Sequence, residues 1–131
     1  MKKRLFILVV LTLMAALAAC GNQKGNLTRV DVTVGTKTNI ITDQEKVDSI
    51  EKLVALAKWD PNTTPSMAKK ENGTVTLFYK QNDHDPEQLT TIRVWINEEA
   101  NSVTLISDDP DQGYAVVKES YNEWKGLLNI R

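Results

Sequence analysis

Few residues of this chain could do covalent or metal chemistry, because it has one cysteine, Cys20, and one histidine, His84. Nucleophilic catalysis needs a base within reach of a serine or cysteine. However, His84 stands in a polar loop, and no G-x-S-x-G, P-loop or H-E-x-x-H pattern occurs. The acid-rich loops 83–87 and 108–111 lack the spacing of a calcium-binding loop. The sequence therefore predicts a non-catalytic protein without cofactor or metal, and leaves open a pair of carboxylates that meet in the fold.

The first 19 residues have the pattern of a secretory signal peptide. The positive charges of Lys2, Lys3 and Arg4 come first, an apolar run over 5–17 follows, and small residues end the segment. The apolar run is shorter than the roughly 20 residues that a membrane-spanning helix needs. We therefore expect residues 1–19 to deliver the protein and to play no part in its fold.

The residues at the end of this segment, Leu17-Ala18-Ala19-Cys20, resemble the lipobox of bacterial lipoproteins. The resemblance implies that the thiol of Cys20 receives a diacylglyceryl group and that Cys20 becomes the new N-terminus. A thiolate is nucleophilic enough for this reaction, and two or more acyl chains make a stable anchor. The alternative is ordinary cleavage at Ala16-Leu17-Ala18, which would release a soluble secreted protein with a free thiol.

The net charge of the remaining chain limits the classes of partner that it could bind. The whole chain has 16 basic and 17 acidic residues, and removal of 1–19 leaves 13 and 17, a net charge of about −4. Because phosphate neutralisation dominates nucleic-acid binding, we expect no nucleic-acid partner. An acidic domain is also not expected to lie flat on an anionic leaflet. The expected partners are the lipid bilayer, through acylated Cys20, and an unknown envelope protein or polymer.

The segment after Cys20 predicts one α+β domain over 27–131, joined to the lipid by a polar, glycine-bearing tether over 20–26. Alternation of apolar and polar residues predicts strands over 27–34, 37–41, 74–80, 89–97, 103–107 and 114–117. A capping box, Thr42-Asp43-Gln44-Glu45, begins a helical pattern over about 43–58, and a second covers about 118–129. This order predicts an antiparallel meander with helices on one or both faces.

The strand alternation divides the predicted sheet into an apolar face and a mixed face. The mixed face would collect Phe78, Arg93, Trp95 and Ile106. Aromatic and arginine side chains on a semi-apolar face are typical anchors for a protein or saccharide partner, so these four residues are a tentative interaction face. The simpler interpretation is that a helix covers this face and that Trp95 belongs to the core, as we expect for Trp59 and Trp124.

The connections between the strands suggest how the mixed face is assembled. If Lys80 pairs with Leu89, then Trp95 lies opposite Thr74 on the preceding strand. If Asn97 pairs with Ser102, then Arg93 lies opposite Ile106 and Trp95 opposite Thr104.

Several short motifs together resemble the YhfM-like group of small lipoproteins from Gram-positive bacteria. They are Leu17-Ala18-Ala19-Cys20, Ala57-Lys58-Trp59, Pro65-Ser66-Met67-Ala68, Ile92-Arg93-Val94-Trp95-Ile96, Tyr114 and Leu127-Leu128. The group has no established activity, so the resemblance implies only a membrane-anchored domain that faces outward. The loop at His84 and the paired Asp108-Asp109 are not features of the group.

We therefore expect an extracytoplasmic lipoprotein, anchored in the cell membrane, that acts as a non-catalytic binding or interaction module of the envelope. The alternative is a sensor that binds a small ligand or a metal through the acidic loops. A weak enzyme is the third possibility. The three differ in what they require: an exposed face, a stabilising ligand, or a cleft of carboxylates with perturbed pKa values.

Overall fold

The computed structural model describes residues 25–130. The predicted signal peptide, Cys20 and most of the predicted tether lie outside this range. The first strand begins at Asn26, one residue before the expected start of the domain.

The predicted α+β class and all eight predicted elements are confirmed. The elements are β1 (Asn26–Val34), β2 (Lys37–Ile41), α1 (Gln44–Leu56), β3 (Gly73–Lys80), β4 (Gln88–Asn97), β5 (Ser102–Ser107), β6 (Tyr114–Val117) and α2 (Tyr121–Leu127). The second helix is shorter than expected, since α2 begins three residues after Lys118 and ends at Leu127. The strand boundaries agree with the alternation to within one residue.

The six strands form one antiparallel sheet in the order β2-β1-β3-β4-β5-β6. Helix α1 packs against β1 and helix α2 against β5. Both helices lie on the face that carries the valines, leucines and isoleucines of the strands, which we call the inner face. The core there consists of fully buried side chains that include Val30, Val47, Val75, Leu77, Ile92, Val94, Val103, Leu105 and Trp124.

The predicted capping box is wrong. Helix α1 has Asp43 at its N-cap, so Thr42 lies one position too early for its side chain to cap the first turn. Asp43 makes no side-chain cap bond, and its backbone carbonyl accepts from the N–H of Val47 instead. The apolar face of α1 supplies the stability that the cap does not, because Val47, Ile50, Leu53 and Val54 are all buried.

The predicted register between the third and fourth strands is also wrong. Leu89 pairs with Phe78 rather than with Lys80, so Arg93 lies opposite Thr74. Alternation has a period of two residues, and a shift of two keeps every side chain on its own face, so the pattern could not detect it. The predicted pairing of β4 with β5 is confirmed: Asn97 lies opposite Ser102, and Arg93 lies opposite Ile106.

The loop that joins α1 to β3, residues 57–72, passes from one face of the sheet to the other around the edge of β6. We call it the crossing loop. At the edge, Asp60 forms a short antiparallel bridge with Tyr114: the N–H of Tyr114 donates to the carbonyl of Asp60 at 3.0 Å, and the N–H of Asp60 donates back at 2.6 Å. Gly113 allows the backbone of the loop to lie this close to β6, since a Cβ atom at position 113 would lie 2.5 Å from the carbonyl oxygen of Asp60. Trp59, which we expected in the core, lies in this loop beyond the end of α1, half-buried against the core.

Candidate interaction face

The four residues of the tentative interaction face lie on the side of the sheet that points away from both helices, which we call the outer face. Leu77, Val94 and Leu105 point inward and are fully buried, so their neighbours in the strands point outward. The corrected register divides the four into two groups. Arg93, Trp95 and Ile106 are close together, whereas Phe78 pairs with Leu89, four residues along β4 from Arg93.

Trp95 is buried, with 6% of its surface exposed, but no helix covers it. The end of the crossing loop lies over it, and the indole Nε1 donates a hydrogen bond to the carbonyl of Lys69 at 2.8 Å. Asn72 fixes this end of the loop to β4, since its N–H donates to the carbonyl of Val94 at 2.8 Å and its Oδ1 accepts from the N–H of Ile96 at 2.7 Å. Trp95 is therefore too deeply buried to contact a partner directly, and neighbouring residues of the outer face pack against it. Ile106 is half-buried beside it.

Arg93 is the most exposed member of the four. Its guanidinium stacks on the ring of Trp95 at 4.7 Å from the centroid, and Nη2 donates to Oε2 of Glu71 at 3.2 Å. The side chain of Arg93 keeps 49% of its surface exposed, and that of Glu71 keeps 19%. Hydrogen bonds from its own backbone N–H and from Arg93 hold the pKa of the Glu71 carboxyl below its usual range.

A second arginine stacks on the aromatic ring at the other end of the face. The guanidinium of Arg29 lies 4.6 Å from the centroid of Phe78, which is half-buried. Asp31 accepts two hydrogen bonds from it, from Nε at 2.7 Å and from Nη2 at 2.8 Å. These bonds to Asp31 raise the pKa of Arg29 above its ordinary value. This geometry is the fork-to-fork pairing that arginine and carboxylates prefer.

Between the two arginines the outer face is mostly polar. Half-buried threonines occupy the middle of the strands: Thr33, Thr74, Thr76 and Thr91. Two exposed apolar side chains, Leu89 and Ile40, lie on the same face, each with 55% of its surface exposed. Since the helices lie on the inner face and the crossing loop lies over Trp95, the described residues leave the region from Phe78 to Arg93 open to solvent.

Sequence reasoning did not select Arg29, Asp31 or Glu71 for this face. Arg29 and Asp31 carried a usable signal, because residues two apart in a strand lie on the same face and opposite charges there attract. Glu71 carried none, since its contact with Arg93 spans 22 residues and depends on where the crossing loop ends.

Two aspartates of the loop 108–111 accept hydrogen bonds from backbone N–H groups. Oδ1 of Asp108 accepts from the N–H of Thr91 at 2.9 Å, and Oδ1 of Asp109 accepts from the N–H of Asp111 at 2.9 Å. His84 is exposed in the loop between β3 and β4. Across residues 25–130, the structure has no group of three or more histidine, cysteine, aspartate or glutamate side chains placed to hold a metal ion.

A groove of about 620 Å³ lies between the end of α1 and the corner from β6 to α2. Leu53, Leu56, Val116 and Val117 form its apolar part, with Lys58, Lys118, Glu119 and Glu123 around them. Among the large apolar side chains of residues 25–130, Leu56 has the largest exposed fraction, 73%. The volume of the groove is within the range of small-molecule sites.

The lipidation site predicted at Cys20 lies outside the described residues. Between residues 25 and 130, no helix is long and apolar enough to cross a membrane. Comparison with protein families, with characterised proteins and with solved structures finds no match to this chain.

Proposed function

We propose that this chain is an extracytoplasmic lipoprotein, anchored in the cell membrane through acylated Cys20, that binds a partner in the envelope without catalysis. The lipobox-like Leu17-Ala18-Ala19-Cys20 after a short apolar run supports the anchor. The resemblance to the YhfM-like lipoproteins supports the same location. The net charge of about −4 after Cys20 supports a domain that stays off an anionic leaflet and is held by lipid alone.

The open part of the outer face is the observation that carries the binding role. A sheet face in a small domain is normally covered by a second layer, yet here both helices lie on the inner face and the crossing loop reaches only the end at Trp95. The open part combines an exposed leucine, Leu89, with two arginines that are held over aromatic rings. Apolar contact area beside oriented guanidinium groups is the composition of binding surfaces. A small-ligand sensor is the second candidate, favoured by the groove beside Leu56.

The anchor is tested by Cys20→Ser. We expect the native protein to be found in the membrane fraction of its host, and the variant to lose the thioether link and leave that fraction. Mass spectrometry of the native N-terminal peptide should show the mass of the added acyl chains on Cys20. An unmodified cysteine, with cleavage after Ala18, would contradict the anchor and support a secreted protein.

The face is tested by crosslinking in intact cells, followed by capture of the protein and identification of what is attached. Leu89→Ser is the informative variant, because it removes an exposed apolar contact from the open part of the face without opening the core. Leu56→Ser is the matched control, since Leu56 is at least as exposed but lines the groove. We expect Leu89→Ser to lose the crosslinked partner and Leu56→Ser to keep it.

The reverse pattern would contradict the outer face as the binding surface and point to the groove. If neither variant changes the capture, or nothing specific is attached, the binding role on this face fails. A thermal-shift screen of small ligands against the native protein and Leu56→Ser would then test the sensor.

A further inference from the structure

We propose that Arg93 is an oxyanion-binding centre: its guanidinium takes a carboxylate or phosphate group of the partner in place of the carboxylate of Glu71. This inference deepens the proposed function, since it gives the chemistry of the ligand that the outer face binds. It rests on four observations: the orientation of Arg93, its unused donors, the position of Glu71, and the contrast with Arg29.

The guanidinium of Arg93 is oriented before any ligand arrives. It stacks on Trp95 at 4.7 Å, and Trp95 is itself held by burial and by its 2.8 Å hydrogen bond to the carbonyl of Lys69. Stacking fixes the plane of a guanidinium, so less conformational entropy is lost when the group forms hydrogen bonds. The side chain is still 49% exposed, so the group is accessible.

The donors of Arg93 are largely unused within the described residues. A guanidinium has five N–H groups, and Arg93 makes one hydrogen bond, from Nη2 to Glu71 at 3.2 Å. Thr74 lies directly opposite Arg93 in the sheet, so its side chain is on the same face. The arrangement offers a forked donor and a neighbouring hydroxyl, which suits the two oxygens of a carboxylate or phosphate.

Glu71 shows that the position accepts a carboxylate. It lies two residues before β3, at the end of the crossing loop, and its contact with Arg93 is single and long. A bidentate ligand would therefore make more and shorter bonds than Glu71 makes. Since the pKa of Glu71 is below its usual range, it is ionised at neutral pH and competes with the ligand for Arg93.

Arg29, in the same sheet, is the comparison for Arg93, because its guanidinium is fully paired with a carboxylate of the protein itself. Asp31 accepts from both Nε and Nη2 of Arg29, at 2.7 and 2.8 Å, and the two residues lie on one strand where neither can move away. The two arginines share the stacking on an aromatic ring and differ in their carboxylate partner. We therefore assign the ligand to Arg93.

The test measures binding of two probes, poly-L-glutamate and inorganic polyphosphate, by calorimetry at low and at physiological salt. The protein is purified as its host processes it, in a neutral detergent. We expect Arg93→Gln to weaken binding roughly tenfold, as for loss of one charge-assisted hydrogen-bonding group, and Glu71→Gln to strengthen it roughly two- to fivefold by removing a partly exposed competitor. Added salt should weaken binding in the native protein.

The chain offers a matched control for each variant. On helix α2, Lys125 lies 5.7 Å from the ring of Tyr121 and 3.7 Å from Oε1 of Glu98. Like the two arginines, it is a cation with an aromatic ring and a carboxylate nearby. We expect Lys125→Gln and Glu98→Gln to leave the affinity unchanged. A purely structural role of the Glu71–Arg93 pair would not produce a gain of affinity in Glu71→Gln.

Binding of polyglutamate alone identifies a carboxylate ligand, binding of polyphosphate alone a phosphate ligand, and binding of both a general oxyanion site. Binding of neither probe, or binding that Arg93→Gln leaves unchanged, overturns the inference. The binding role of the face is tested separately through Leu89, so it can hold when the oxyanion site fails. Circular dichroism of Arg93→Gln checks that a loss of affinity is not a loss of fold.

Discussion

Trp124→Ala is expected to lower the free energy of unfolding by about 3–5 kcal/mol, the cost usual for truncating a large buried aromatic side chain. Trp124 has no exposed surface and is the largest of the fully buried side chains. It joins α2 to the sheet, so its loss leaves a cavity between the layers that neighbouring side chains cannot fill without moving. Denaturant unfolding followed by circular dichroism measures the change.

Two other variants make this prediction specific. The indole Nε1 of Trp124 is buried and has no hydrogen-bond partner among the described residues. Trp124→Phe removes that donor as well as part of the ring, so its cost should be well below that of Trp124→Ala. Trp59→Ala, at a half-buried aromatic whose Nε1 donates to the carbonyl of Val54 at 3.0 Å, should also cost less. If Trp59→Ala lowered the free energy of unfolding as much as Trp124→Ala, the extent of burial would not explain the stability that each tryptophan contributes.

Trp95→Ala should cost about 3 kcal/mol, close to the lower end of the range for a buried aromatic residue, and should also release the end of the crossing loop. The ring of Trp95 lies under residues 69–72, and its indole bonds to Lys69. The measurement is denaturant unfolding together with amide hydrogen exchange at Asn72, whose N–H donates to Val94 across the strands. We expect faster exchange at Asn72 in the variant, because local opening exposes that amide.

The other end of the crossing loop is the internal control. The N–H of Asp60 donates to the carbonyl of Tyr114 at the β6 edge, away from Trp95. Once the lower global stability of the variant is allowed for, hydrogen exchange at the Asp60 amide should be the same as in the native protein. Trp95→Phe keeps most of the burial and loses the bond to Lys69, so its cost should be about 1 kcal/mol. Unchanged exchange at Asn72 in Trp95→Ala would mean that the loop is held without the indole. Because Trp95→Ala changes stability, Leu89→Ser is the better variant for measuring binding.

The sequence predicted the elements of this fold well because each has a local cause. Alternation along β1 and β3 to β6 separates side chains that become buried from those that do not, and the apolar spacing behind Asp43 defines the inner side of α1. Register has no such local cause between β3 and β4. The residues on either side of a two-residue shift have the same character, so the alternation fits both registers equally well.

The candidate face was predictable only as a set of strand positions. The sequence placed Phe78, Arg93, Trp95 and Ile106 on one side of the sheet, and they lie there. Whether a residue of the sheet is exposed to solvent depends on which other segment packs over it. The sequence of a loop has no periodicity, so it does not predict where the loop runs. Residues 57–72 have two prolines and mostly polar side chains, so the pattern could indicate a loop but not that it covers Trp95 and brings Glu71 to Arg93.

The path of the crossing loop also bears on when the fold can form. Asp60 lies near the middle of the chain and pairs with Tyr114, which comes near its end and begins the last strand. A chain that leaves a ribosome or a membrane channel from its N-terminus therefore cannot close this fold until β6 has emerged. Until then β5 lacks its second partner strand, and Asp60 lacks the backbone of Tyr114. The complete fold therefore forms only after the last strand has been synthesised, which is compatible with the export proposed for this chain.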